Sequence, residues 1–369
     1  MKRTTQNRFK ALTSACVLSM MATVAWSQTL TWLGTFGGEC YALGVSADGR
    51  VVVGYSNDYF VRMHAFRWTQ ATGMQDLGAL PGGDGGKASG VSADGSVVVG
   101  GAANAAGQFR AFRWTQATGM QDLGALPGGD GGKASGVSAD GSVVVGGAAN
   151  AAGRLRAFRW TQATGMQDLG TLGGTDSWAY GVSADGSVVV GYAYNAAGRL
   201  RAFRWTQATG MQVLGTLPGG DRSVALDVSA DGSVVVGGAA NAAGQRRAFR
   251  WTAAGGVEDL NITYASLLTD GSELWGAFAI SPDGRYIVGT GYNAATRRSE
   301  AFLLDTGPRC TPHSGDVDNN DCVDDADLLA VLFAFGNTGS NLGQVDVNCD
   351  GIVDDADLLT VLFNFGSGC

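Results

Sequence analysis

One unit of sequence recurs through about three quarters of this chain of 369 residues. The tripeptide Phe-Arg-Trp closes at Trp68, Trp114, Trp160, Trp205 and Trp251, a spacing of 45 or 46 residues. The turn Ser-Ala-Asp-Gly begins at Ser46, Ser92, Ser138, Ser183 and Ser229, and a sixth version, Ser-Pro-Asp-Gly, begins at Ser281. Residues 65–107 and 111–153 are identical over 43 positions. Such a period means that each unit is one supersecondary element, and that its faces are buried only against its neighbours.

Within a unit, four short strand candidates alternate with turn chemistry. In the third unit they are KASGVS, SVVVGGA, LRAFRWT and MQDLGTL, separated by ADG, NAAG and QATG. Gly supplies the positive φ of such turns, and 59 Gly beside six Pro fit many tight turns rather than collagen or disorder. Val143-Val144-Val145 is apolar on both pleat faces, as in a strand covered from both sides. Phe158 and Trp160 alternate with Ala157 and Arg159, so the two aromatics share a face. Four strands in about 46 residues is the size of a propeller blade. The pattern therefore predicts a mainly β fold, a six-bladed β-propeller over residues 28–306. The opening segment TWLGTF (31–36) matches the MQDLGTL strand, and the sixth unit stops after AFLLDT. That segment is expected to complete the last blade and leave no open edge, a complementarity for which a β-solenoid gives no reason.

Residues 1–27 read as a secretory signal peptide. Lys2, Arg3, Arg8 and Lys10 precede the apolar stretch ALTSACVLSMMATVAW, and Ala25-Trp26-Ser27 fits a small-x-small cleavage site. The mature protein is then expected outside the cell, free or attached to its surface, with no membrane span after cleavage. Disulfides become permissible there. Cys40, Cys310, Cys322, Cys349 and Cys369 follow the leader. The last four allow three connectivities; a Cys310–Cys369 clasp is favoured, with Cys40 left over. Charge is uneven as well. From residue 307 onward there are eleven Asp and one Arg, whereas residues 28–306 carry 20 basic and 22 acidic groups. Nothing here suggests nucleic acid, and the shift sets a boundary before a module at 307–369.

That module repeats itself. Residues 346–357, DVNCDGIVDDAD, follow 316–327, DVDNNDCVDDAD, at a 30-residue spacing. Read as calcium loops, the second places Asp346, Asn348, Asp350, the Ile352 carbonyl, Asp354 and Asp357 at positions 1, 3, 5, 7, 9 and 12. The first places Asp316, Asp318, Asn320, the Cys322 carbonyl, Asp324 and Asp327 likewise. Two Ca2+ sites are thus expected. Position 6 is Gly351 in one loop and Asp321 in the other. Each loop leads into an apolar helical pattern, with Leu328, Leu329, Leu332 and Phe333 matched by Leu358, Leu359, Leu362 and Phe363. Two such halves are expected to bury these helices against each other around a pseudo-twofold axis.

This duplicated loop–helix pattern resembles type I dockerin, which implies a cohesin-like protein as partner. It departs from dockerin at positions 10 and 11, which are Asp-Ala in both copies (Asp325-Ala326, Asp355-Ala356) where cohesin-reading Ser or Thr often sits. Residues 28–306 resemble the bacterial extracellular HAF repeats: His64-Ala65-Phe66 is followed elsewhere by Arg-Ala-Phe or Glu-Ala-Phe, with GVSADGRVVVGYS and MQDLG in the family's order. That resemblance implies no established activity.

Two groups of propeller residues stand out as a binding surface. The blade-to-blade loops end in Gly-Gly plus an acid at Glu39, Asp84, Asp130, Asp176 and Asp221, which could form a ring about the axis or close Asx-turns. The residues beside them that vary between units are Tyr41, Lys87, Lys133, Trp178, Tyr180 and Trp275. With His64 and His313 the only histidines and neither near a nucleophile motif, the sequence reads as a non-catalytic binding or scaffold protein with a glycan or protein ligand. The alternative is a carbohydrate-active enzyme of a polysaccharide-degrading assembly. It requires two differentiated carboxylates across a cleft.

Overall fold

The computed structural model describes residues 31–306, 314–318, 320, 322–337, 342–348 and 352–369; the expected leader and Cys310, Cys349 and Asp350 lie outside the described residues. Residues 31–33 form part of a separate N-terminal unit and carry no helix or strand.

From Gly37 onward the repeats build six antiparallel sheets, over residues 37–76, 86–122, 132–168, 173–215, 223–259 and 273–305. The first five have four strands and the sixth has three, each in consecutive order. In the third blade the strands are Gly132–Val137, Val143–Ala149, Leu155–Thr161 and Gly165–Asp168. The first strand of every blade borders one axial cavity. This is a six-bladed β-propeller. The helical turn α1 (Leu260–Thr263) joins the fifth blade to the sixth, capped by Asp259 accepting from the Asn261 N–H.

The triple valine explains how blades stack. Val143 and Val145, with Ala157 and Leu169, pack on Ala179, Val189, Ala193, Phe203 and Trp205 of the fourth blade. Val144 points the other way and, with Phe158 and Trp160, meets Val97, Val99 and Ala111 of the second. One strand thus serves two interfaces, which is why it shows no alternation. The glycine that follows is required by close approach: a Cβ on Gly146 would fall on the Lys133 carbonyl and lie 2.9 Å from the Phe158 ring. The conserved look of the copies follows from this packing, since Phe66, Phe112, Phe158, Phe203 and Phe249 are all fully buried.

The two repeated motifs also meet one another. In Ser-Ala-Asp-Gly, the Ser92 hydroxyl donates to Asp94 (2.6 Å) and accepts the Val97 N–H, closing the turn. Those hydrogen bonds, with the Ser92 bond foremost, hold the Asp94 carboxyl down at about 2. Successive turns then join blade to blade, the Ala47 N–H donating to the Ala93 carbonyl, Ala93 to Ala139, Ala139 to Ala184, Ala184 to Ala230 and Ala230 to Pro282. The arginine of Phe-Arg-Trp reaches the next turn: Arg67, Arg113 and Arg159 donate from Nε to the Gly95, Gly141 and Gly186 carbonyls. The residue before Ala-Phe faces the Asp of MQD, as in Arg110–Asp122 (3.2 Å) and Arg156–Asp168 (3.6 Å). His64 takes that role beside Asp76 at 2.8 Å, so its place is structural.

Two expectations need correction. Residues 31–35 carry no strand, and the sixth sheet ends at the strand Arg298–Asp305. The likeness of TWLGTF to MQDLGTL therefore does not translate into a fourth strand there. Val45 on the first blade and Val288 and Leu303 on the sixth are 59%, 42% and 68% exposed, and the equivalents of Val288 in the other blades, Val53, Val99, Val145, Val190 and Val236, are fully buried. Cys369 is bonded to Cys322, not to Cys310; the chain end returns to the first loop, with Gly366 donating to the Val323 carbonyl and Val323 donating to Ser367.

Near the C-terminus, α2 (Asp325–Ala334) and α3 (Asp355–Phe363) pack on each other. Each begins with a capping box, Asp324 with Asp327 and Asp354 with Asp357. The core they share is Val323, Val331, Val347, Val353 and Val361, with Leu328 and Leu358 beside it. No helix among the described residues is long and apolar enough to cross a membrane.

Candidate functional site

The inner strand of each blade slips register by one residue near its middle, leaving Leu43, Ser89, Ser135, Tyr180, Leu226 and Phe278 without a cross-strand partner. A bulge re-aims the skipped side chain, and five of these residues, all but Leu226, line the axial cavity of about 320 Å³. Only one acid among the described residues lines it, Asp227. Asp227 stands where the first four blades have Gly44, Gly90, Gly136 and Gly181. Its carboxylate accepts from the Val228 N–H (2.9 Å) and, across the blade junction, from the Ile280 N–H (3.0 Å). Burial nonetheless pushes this carboxyl up to about 6. Sequence reasoning missed Asp227. The signal was present, as ALDVS where the first four units read Ala-x-Gly-Val-Ser.

The residues that vary between units lie on the inner strands and fall into three groups of contacts. Tyr41 stacks on Tyr55 at 5.0 Å, and the Lys87 ammonium lies 4.6 Å from the Tyr55 ring centroid. Lys133 is half-buried, and burial first, then the Lys87 charge, lowers its affinity for its proton. Trp178, Tyr180, Tyr192 and Tyr194 form a chain of ring contacts 5.9 to 6.5 Å apart. Trp275 stacks on Tyr292 at 6.3 Å. Aromatic faces beside amines and guanidinia can hold sugar rings, peptide side chains or their carboxylates.

The acids do not form the ring that their spacing suggested. Asp176 accepts from the Leu155 N–H (2.9 Å) and the Thr175 hydroxyl (2.6 Å), and these bonds, Thr175 first, hold its carboxyl low. The Asp130 and Asp221 carbonyls accept from Arg110 and Arg201 on the preceding blade, and Glu39 accepts from the Tyr41 hydroxyl at 3.1 Å. Asp130, Asp176 and Asp221 thus contact the third strand of the preceding blade, and none of the five acids lines the axial cavity.

In the first acidic loop, carboxylate oxygens of Asp316, Asp318 and Asp327 lie within 4.8 Å of one another. Calcium binds oxygens at about 2.3–2.6 Å, so ligands on opposite sides of one ion are about 5 Å apart and these three fit. Asp327 is fully buried and accepts N–H groups of Val317 (2.6 Å), Asp318 (3.1 Å) and Asp324 (2.9 Å). Burial opposes its ionisation, but those bonds prevail and hold its carboxyl low. Asn320 turns its oxygen to the Cys322 N–H, and Asp324 caps α2 through the Ala326 N–H. In the second loop Asp346 and Asp357 are buried, Asp357 accepting from Asn348 and Asp354, and Asp354 caps α3. Ile352 is 44% exposed.

The helices correct a further expectation. Val331 and Val361 form the contact, while Leu329, Leu332 and Phe333 are 50%, 47% and 87% exposed and their counterparts Leu359, Leu362 and Phe363 are 48%, 47% and 83% exposed. The apolar pattern was wider than one packed face requires.

No protein-family model and no curated protein matches the chain. Among solved structures it is similar to TolB from Acinetobacter baumannii, at 15% identity and a TM-score of 0.43 over 60% of this chain and 53% of that one. A TolB-like protein from Agrobacterium tumefaciens shows 15% identity and a TM-score of 0.44 over 73% and 90% of the two chains. A prolyl endopeptidase structure shows 12% identity and a TM-score of 0.47 over 72% and 42%. The chain thus spans about half the length of the first of these and of the endopeptidase.

Proposed function

We propose that this is an exported, non-catalytic binding protein whose propeller holds a glycan or protein ligand and whose C-terminal segment, folded around two calcium ions, docks to a cohesin-like partner or surface assembly. The observation that carries the docking half is the duplicated apolar stripe, Leu329-Leu332-Phe333 and Leu359-Leu362-Phe363, left exposed on matched helices. Exposed apolar groups at equivalent places in two internal copies mark an interaction surface rather than scattered surface leucines. Residues 316–327 and 346–357 would hold the ions, which offset the mutual repulsion of eleven Asp. The test is a calcium-dependent pull-down from the exported fraction of the source organism. Capture should fail in EDTA and in Leu332→Asp/Leu362→Asp, with calcium binding intact in that variant. Retained capture by the variant would overturn the docking role, and undiminished calcium binding by Asp327→Ala/Asp357→Ala would overturn the calcium role.

The competing enzymatic reading requires two differentiated carboxylates placed across a cleft, and its test is polysaccharide hydrolysis lost on mutating Asp176 or Asp221. Among the described residues lining the axial cavity, Asp227 is the one acid.

A further inference from the structure

The six blades solve one local packing problem in different ways. At a fixed register position on the second strand, opposite Ala65, Ala111, Ala157, Ala202, Ala248 and Ala301 in turn, stand Tyr55, Gly101, Gly147, Tyr192, Gly238 and Thr290. Where the residue is Tyr, its own ring covers the spot. Where it is Gly, a neighbour's ring drops in: the Phe109 ring occupies the place of a Cβ on Gly101, and the Trp178 ring that of a Cβ on Gly147. Trp178 is held there by donating to the Ser135 hydroxyl at 3.0 Å.

Gly238 is the exception. Nothing lies nearer to a Cβ built on it than the Trp275 carbonyl, at 3.9 Å. The ring that could have come from its own blade is absent, because the residue at the Phe109 position is Arg246. Trp275 is turned aside, stacked on Tyr292 and donating to Glu273 at 3.0 Å. What results is a slot of about 290 Å³ over Gly238, walled by Val224, Trp275 and Phe278. Arg222 and Arg246 stand at it, both exposed, and neither guanidinium has an acidic partner among the described residues. By contrast Arg110, Arg156, Arg247, Arg250 and Arg285 are all paired with carboxylates.

We propose that the slot over Gly238 binds a ring that carries a carboxylate, the ring taking the place that Phe109 and Trp178 fill in other blades and the carboxylate lying between Arg222 and Arg246. The slot accepts a ring because the repeat geometry already does so at two sites. Two guanidinia without an acidic partner among the described residues supply the planar, charge-assisted donors that carboxylates favour. That chemistry is shared by aromatic acids and by the uronic acid units of acidic polysaccharides. This inference rests on the binding role proposed for the propeller, and narrows it to one blade junction.

The test is calorimetric titration of the full-length protein with two kinds of probe, indole-3-acetate with phenylacetate, and an oligogalacturonate. One kind should bind saturably at one site, its uncharged analogue about tenfold or more weakly, and the arm that binds identifies the source of the ring. Gly238→Tyr places the residue of the first and fourth blades into the slot, at a backbone position without positive φ and with open space above it; it should fold and abolish binding. Arg222→Gln/Arg246→Gln should reduce the acid to the affinity of its uncharged analogue, and carries the test if the Tyr variant is unstable. Absence of saturable binding by both probes overturns the proposal, as does binding unchanged by Gly238→Tyr. In the second case the propeller remains a binding protein and only the slot is wrong.

Discussion

Replacing Asp327 by Ala should unfold the C-terminal helices even with calcium present. The carboxylate is fully buried and receives three backbone N–H groups, from Val317, Asp318 and Asp324. A hydrogen bond to a charged group contributes about 1.5–3 kcal/mol, and a donor left buried without a partner costs a similar amount. Even if one of the three N–H groups finds water, about 3–5 kcal/mol is lost. A segment of this size rarely has more than about 3–5 kcal/mol in total. Hydrogen exchange of the intact protein isolates the effect. Amides of α2 should lose about a hundredfold in protection or more, while those of the propeller strands stay unchanged. Asp327→Asn keeps one acceptor oxygen and should fall between the two. Protection of α2 within about threefold of wild type would refute the reasoning, because it would mean that Asp327 does not hold its loop.

Other consequences are checked more simply. Phe158→Ala empties a fully buried site between two blades and should cost about 3–5 kcal/mol, read as a fall in the denaturant midpoint. Asp227 keeps its proton up to about pH 6 in the native state, above its ordinary value in the unfolded chain. The native state therefore binds more protons between about pH 4 and 6, and stability falls as pH rises through that window; the thermal midpoint should drop across it in wild type relative to Asp227→Gly, and equal slopes would contradict this. Cys322→Ser opens a link between residues 47 apart and should cost about 2–4 kcal/mol, seen as faster exchange in α3.

The propeller was legible because its repeats state the same physics several times. Val143-Val144-Val145, Phe158 and the Ser-Ala-Asp-Gly turn are determined within the blade and by an identical neighbour, so period and turn chemistry suffice to place them. What failed needed information from outside the unit. TWLGTF matches a fourth strand in sequence, yet strand formation depends on what stands at the edge of the sixth sheet, and no local pattern encodes that. The acids of the Gly-Gly loops were assigned to the axis because loop length says nothing about which strand of the preceding blade a loop contacts. At the C-terminus, spacing brought Asp316, Asp318 and Asp327 together correctly, since all three are local to one loop and its helix. The helix faces were misjudged. Leu332 and Val331 are both apolar, and only the partner helix decides which is covered.

In a repeat protein the informative positions are those where one copy breaks the rule while its backbone does not. A shared position such as Phe158 reports packing, because every junction needs it. Asp227 at a place that is glycine in the first four blades, and Arg246 where the second blade has Phe109, leave the strands and registers of the fifth blade as they are in its neighbours. The first introduces a desolvated carboxyl, and the second lacks the ring with which Phe109 covers Gly101 in the second blade. Both alter the same blade and face the junction with the sixth, the two lying on either side of Phe278, which borders the slot and the axial cavity alike. Departures that weaken packing and cluster at one junction are what selection for binding would leave behind. If the slot over Gly238 binds its ligand as proposed, the junction between the fifth and sixth blades carries that chemistry, beside the aromatic and cationic residues of the earlier blades.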